Sequence, residues 1–211
     1  MGSATVAERV RSAVTQASVG TFVTSRDVLD ELPVGSRPAV DAALSRLAEA
    51  GELFRVRPGI YYRGKSTRYG PTRPEPLAVA YAVCKERGYD SGVGPSGYSA
   101  ARRLGLTTQV PAREEVAVPG RAPADLPAVH FTARAGAARA GLKDDEVAVL
   151  EVLREWPRFS ERGWDALCEA VAELAASRRV RLDVLLKAAR RERHSAARAR
   201  VETLAATLSA T

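Results

Sequence analysis

The stretch SRPAVDAALSRLAEAGELFRVRPGIYYR, residues 36–63, decides the reading of the fold. Val40, Leu44, Leu47 and Ala48 recur at helical spacing, Ser36 is a good N-cap with Pro38 in the first turn, and Gly51 supplies the stop. Leu53–Arg57 and Ile60–Arg63 then read as two strands joined at Pro58-Gly59, a tight hairpin. Upstream, Val6, Val10, Val14 and Ala17 line one face of a first helix that Gly20 ends, and Thr21–Thr24 reads as a short strand. Thr24 and Asp27 can form a capping box opening a second helix with Val28, Leu29 and Leu32 apolar, which Pro33-Val34-Gly35 breaks. Three short helices followed by a hairpin is the order of a winged helix-turn-helix.

Charge points the same way. Arginine outnumbers lysine 28 to 4, and from Leu53 to Pro74 there are six cations and no anion. The third helix is expected to turn Pro38, Ala42, Ser45, Arg46 and Glu49 away from its apolar stripe, with Ser36 and Arg37 at its N-terminus, where backbone N–H groups favour phosphate. Ser36, Arg37, Ser45 and Arg46 are therefore the candidates for reading bases or flanking phosphates. Arg55, Arg57, Arg63, Lys65 and Arg68, interleaved with Tyr61 and Tyr62, are the candidates for holding the DNA backbone. Asp41 dissents; it can accept from cytosine or pair within the chain with Arg37 or Arg57.

The composition bounds the rest. With 211 residues, 45% of them apolar, and a formal charge of +7, the chain is globular, with room for one large domain or two small ones. No run approaches the ~18–20 apolar residues of a membrane span, and no secretory signal is visible. Cys84 and Cys168 stand far apart in apolar helical patterns, and His130 and His194 are too few for common metal chemistry, so neither a disulfide, a metal nor a cofactor is expected and the compartment reads as cytoplasmic.

Beyond a linker-like Gly64–Pro76, a helix over about 76–87 stops at Gly88. Gly92-Val-Gly-Pro-Ser-Gly97 is formally a G-x-G-x-x-G, but no apolar strand precedes it and no acidic residue follows at the ~20-residue offset a dinucleotide loop needs. It reads as a turn opening a helix over 97–104. Further on, Asp144 or Asp145 is expected to cap a helix through Trp156, Ser160 another, and one long helix is expected from about 181 to 208. Residues 141–177 hold 9 acidic against 4 basic side chains, and 178–200 hold 9 basic against 2 acidic. Arg190, Arg191 and Arg193 are candidates for contact with DNA or a partner protein, unless the acidic segment pairs with this helix internally.

PSGYSAARRLGLTTQVP (95–111) with EVAVPG (115–120), VDAALSRL (40–47), Gly51 and RPGIY (57–61) resembles the AbiEi family of bacterial antitoxins; AARRE (188–192) and residues 198–208 fit its C-terminal helix more loosely. The resemblance implies the antitoxin of a two-gene phage-defence or stress module. Such a protein represses its own operon through the winged helix, with dimerisation or antitoxicity in a second domain. The implied partners are its own promoter DNA and a nucleotidyltransferase-like toxin, and some relatives have been proposed to inactivate the toxin by phosphorylation. The expected layout is α+β: a winged helix-turn-helix over 1–70, then a C-terminal part over 71–211 that is α/β to about 135 and helical beyond. Two alternatives stand beside the non-enzymatic antitoxin: an atypical Ser/Thr kinase acting on the toxin, whose ATP–Mg²⁺ site these residues do not assemble, and a plain repressor without a toxin.

Overall fold

The computed structural model describes residues 4–31, 35–68, 70–134 and 137–210. Two compact units divide the chain, Met1–Arg87 and Gly88–Thr211. Both mix helix and sheet, so the protein is α+β.

In the first unit, α1 (Val6–Gln16) starts at a capping box, with the Glu8 N–H donating to Thr5 Oγ1 (3.3 Å) and the Thr5 N–H to Glu8 Oε2 (2.7 Å). Its inward stripe is Val10 and Val14. Gly20, at φ +91°, turns the chain into β1 (Thr21–Thr24). Thr24 then caps α2 (Ser25–Glu31), its Oγ1 accepting from the Asp27 N–H at 3.0 Å and donating to Asp27 Oδ2 at 2.9 Å. Leu32, Pro33 and Val34, the expected end of this helix, lie outside the described residues. Ser36 precedes α3 (Arg37–Glu49) in extended backbone, but its hydroxyl makes no capping bond. β2 (Phe54–Arg57) and β3 (Ile60–Arg63) pair antiparallel across Pro58-Gly59, where Gly59 holds φ +81°. A register shift between Arg55 and Arg57 kinks β2. β1 lies along the other edge of β3, giving the order β1-β3-β2. Val10, Val14, Val28, Val40, Leu44, Leu47, Leu53 and Tyr61 fill the core between helices and sheet. Each such aliphatic side chain is worth about 1.5–3 kcal/mol when fully buried, so this cluster is what holds α3 in place.

A short antiparallel pair, β4 (Ser66–Thr67) and β5 (Gly70–Pro71), follows. Next, α4 (Pro76–Glu86) packs on β1 and β3. For that reason the first unit extends to Arg87 rather than ending near Gly70.

The second unit is built around β6 (Gly94–Pro95), α5 (Gly97–Arg103), β7 (Glu114–Val118) and β8 (Val129–Ala133). The sheet order is β6-β7-β8, with β6–β7 antiparallel and β7–β8 parallel. Helix α6 (Asp144–Glu155) is its axis: every residue from Asp145 to Leu153 is buried. Helices α8 (Leu182–Arg190) and α9 (Ser195–Ala210) pack on it and α7 (Trp164–Ala176) packs on α9, with Leu167, Val171, Leu185, Ala189, Val201 and Leu204 in one shared core.

Two expectations are corrected here. Ser160 does not cap α7: its hydroxyl donates to the Arg162 carbonyl at 2.7 Å, and the helix begins at Trp164, behind Gly163. The long helix expected over 181–208 is two helices, broken at 191–194. There Glu192 turns inward to Arg139 and Arg154, and His194 restarts the helix by accepting from the Ala197 N–H at 3.2 Å. The apolar periodicity runs through the break, which hides it from a pattern reading.

Candidate functional site

Helix α3 and the β2–β3 hairpin carry the residues expected to meet DNA. Pro38, Ala42, Arg46 and Glu49 are exposed and fall at i, i+4, i+8 and i+11, one open stripe along α3. Arg46 makes no ion pair among the described residues and stands beside Ala7 and Arg11 of α1. Arg37 and Ser45 lie on the flank of that stripe and are held within the unit. The Arg37 Nη2 donates to Glu86 Oε1 at 2.5 Å, and its Nε lies 3.8 Å from Asp41 Oδ2. Ser45 is half-buried, its hydroxyl 3.0 Å from that of Tyr61. Asp41 also accepts from the Ser25 hydroxyl, so it takes the intramolecular role rather than the cytosine contact.

On the hairpin, Arg55 is exposed and Arg57 half-buried, and neither has an ion-pair partner among the described residues. Arg63 points elsewhere: its Nη1 donates to the carbonyls of Thr15 (2.9 Å) and Ala17 at the end of α1. Those carbonyls have no partner within the helix, so Arg63 acts as a helix cap and is not offered outward as expected. Lys65 ties only its backbone down, to Thr72, at 2.9 Å in each direction, and its side chain is exposed. Arg68 is exposed at the turn after β4. Arg73 was missed as a site residue although it belongs to the anion-free run; its guanidinium lies 5.8 Å from the centre of the Phe54 ring. The basic set thus assembled is Arg46, Arg55, Arg57, Lys65, Arg68 and Arg73.

In the second unit the acidic face of α6 is spent on arginines of its own unit. Asp145 accepts from Arg103 (2.8 Å) and Arg179 (2.7 Å), Glu146 from Arg181 (2.8 Å), and Glu151 from Arg134 (2.8 Å) and Arg139 (2.5 Å). Burial would lift these three carboxyls, yet the guanidinium partners outweigh it and hold each below the usual carboxylate range. None of these partners is Arg190, Arg191 or Arg193, all of which are exposed.

The glycines of 92–97 have packing reasons. A Cβ on Gly92 would stand 2.5 Å from the Arg139 carbonyl, one on Gly94 would stand 2.6 Å from the Asp144 carbonyl, and one on Gly97 would overlap the Glu115 carboxylate. The Gly92 and Ser96 N–H groups donate to Leu142 and Glu115 carbonyls. A phosphate-cradling loop needs such groups free. Cys84 and Cys168 are buried thiols, that of Cys84 pushed up to about 12 by burial. Among the described residues no group of three or more His, Cys, Asp or Glu side chains is placed to hold a metal, and no helix is long and apolar enough to cross a membrane.

The fold and site define a two-unit α+β protein whose first unit presents a basic hairpin beside an open helix face. The chain belongs to the family of unknown function DUF6088, which matches residues 9–122. The RV2827C protein from Mycobacterium tuberculosis, known from a crystal structure, aligns with a TM-score of 0.41 and 17% identity, over 93% of this chain and 79% of that one. No curated protein matches the sequence.

Proposed function

We propose that this chain is a cytoplasmic antitoxin, a winged helix-turn-helix protein that represses its own operon and counteracts a nucleotidyltransferase-like toxin. The observation that carries the DNA-binding half is the arrangement of α1, α2 and α3 on the β1-β3-β2 sheet, with a hairpin in a stretch of six cations and no anion. In this reading α3 enters the major groove with its Pro38–Ala42–Arg46–Glu49 stripe, and Arg55, Arg57, Lys65 and Arg68 lie along phosphates. Arg37, exposed but paired with Glu86, and Arg63, capping α1, contribute position rather than contact. The antitoxin half is supported by the resemblance of residues 95–111 to the AbiEi pattern.

Binding to the promoter of its own gene tests the first half. If six to eight phosphates are neutralised, affinity falls roughly 10³-fold or more between 50 and 200 mM salt. Arg46→Ala relaxes base preference by about 1–3 kcal/mol, whereas Arg57→Ala weakens all sequences alike and flattens the salt slope by about one. Equal losses on operator and random DNA from both variants refute this division. Rescue of growth from the product of the adjacent gene tests the second half; a neighbour with no toxicity leaves a plain repressor.

A further inference from the structure

We infer that the corner between α8 and α9 is a second nucleic-acid backbone site, formed by Lys187, Arg190, Arg191 and Arg193 and independent of the operator-reading unit. The segment 178–200 holds nine cations, and the structure sorts them. Arg179 and Arg181 are bound to Asp145 and Glu146, Arg198 donates to the Glu192 carbonyl at 2.5 Å, Arg200 donates to the Leu153 carbonyl at 2.8 Å, and Arg178, exposed and without an ion pair among the described residues, lies before α8 and outside the corner. Lys187, Arg190, Arg191 and Arg193 are exposed and make no ion pair among the described residues. The one acid inside the patch, Glu192, is buried and committed to Arg139 at 2.6 Å and Arg154 at 3.3 Å. Asp183, one turn before Lys187, is the nearest exposed acid along α8.

Lys187 and Arg190 sit in the last turn of α8, where cations offset the helix dipole. Arg191 closes the helix and Arg193 lies beyond it, so the patch carries more positive charge than the helix end requires. Positions 187, 190 and 191 are i, i+3 and i+4, neighbours about 5–6 Å apart on one face.

The patch favours a phosphodiester backbone over an acidic protein surface. Protein interfaces are anchored by apolar or aromatic side chains at their centre. Among the described residues the exposed large hydrophobic side chains are Val19 and Val110, neither of them in the patch. Three guanidinium forks and one ammonium with no apolar anchor suit contact with phosphates, which carries no sequence preference.

The test uses the full chain and a fluorescent random-sequence DNA duplex, with a single-stranded RNA of random sequence as a second arm. The variant carries Lys187→Ala, Arg190→Ala, Arg191→Ala and Arg193→Ala; Arg191→Glu with Arg193→Glu is a smaller one, placed outside the helix. Affinity is measured between 50 and 200 mM salt, and thermal unfolding checks the fold. Each phosphate contact contributes about 0.9 to the slope of log affinity against log salt for duplex DNA, so losing three or four lowers the slope magnitude by about 3. The charge-reversed pair weakens binding more than tenfold at 50 mM salt. A folded variant whose slope matches the wild type overturns the site, and so does loss of toxin rescue with the slope unchanged, which makes the patch a protein contact. A duplex carrying the operator, titrated under the same conditions, gives the ratio of operator to random-DNA affinity. A ratio of one sinks the operator reading without touching this one.

Discussion

Replacing Arg139 by Met probes the buried charge cluster that organises the second unit. Arg139 is wholly buried, with Nη1 2.5 Å from Glu151 and Nε 2.6 Å from Glu192. Removing one partner of a buried pair costs about 3–5 kcal/mol when the other charge is stranded. Here the two carboxylates fare differently. Glu151 keeps the Arg134 fork, at 3.0 and 2.8 Å, whereas Glu192 retains among its ion pairs only Arg154, at 3.3 Å. Among the described residues Arg139 Nη2 is buried without a partner, so its removal also relieves an unsatisfied donor worth about 1 kcal/mol. The net loss is then about 2–3 kcal/mol, or a Tm lower by roughly 8–12 °C for a unit of this size. The unit reports on itself, because the two tryptophans of the chain, Trp156 and Trp164, both lie in it. Fluorescence-detected thermal unfolding therefore reads the second unit alone. Glu192→Gln combined with Arg139→Met costs less than the two single changes added, by about 1–2 kcal/mol, since the stranded charge is gone. A single Arg139→Met variant melting within about 2 °C of wild type refutes this account, as does strict additivity in the double variant.

The buried carboxylates of α6 set an acid limit. Glu151, Glu146 and Asp145 titrate below their ordinary values, so the stability they contribute is present above about pH 4 and drains away as pH falls through the depressed values; tryptophan-monitored melts between pH 7 and pH 3 should show the second unit's Tm falling steeply at the acid end. Arg63→Ala uncaps α1, lowering stability by about 1–2 kcal/mol while leaving the salt slope of DNA binding unchanged, and a slope reduced by one in that variant places Arg63 on the phosphates after all. A fragment of residues 1–87 keeps operator binding and loses growth rescue; rescue by the fragment alone makes the protection transcriptional.

The local signals were legible in the chain. The Val40–Leu44–Leu47 stripe, the Thr24–Asp27 cap and the Pro58-Gly59 turn are interactions among residues a few positions apart, so sequence spacing alone locates α3, α2 and the hairpin. Which cations face outward was not legible. Arg37 meets Glu86, 49 positions away, and Arg63 meets Ala17, 46 positions away. The break between α8 and α9 follows the same logic. Burying Glu192 is tolerable because Arg139 and Arg154, brought from 53 and 38 positions away, supply the compensating charge. Periodicity reports which face of an element is apolar, while the partner of a charged side chain is fixed by long-range packing. The chain's pattern therefore determined the helices and hairpin of the first unit and the basic regions, and the tertiary structure decided where the C-terminal helices break and which arginines are paired within the protein and which remain open.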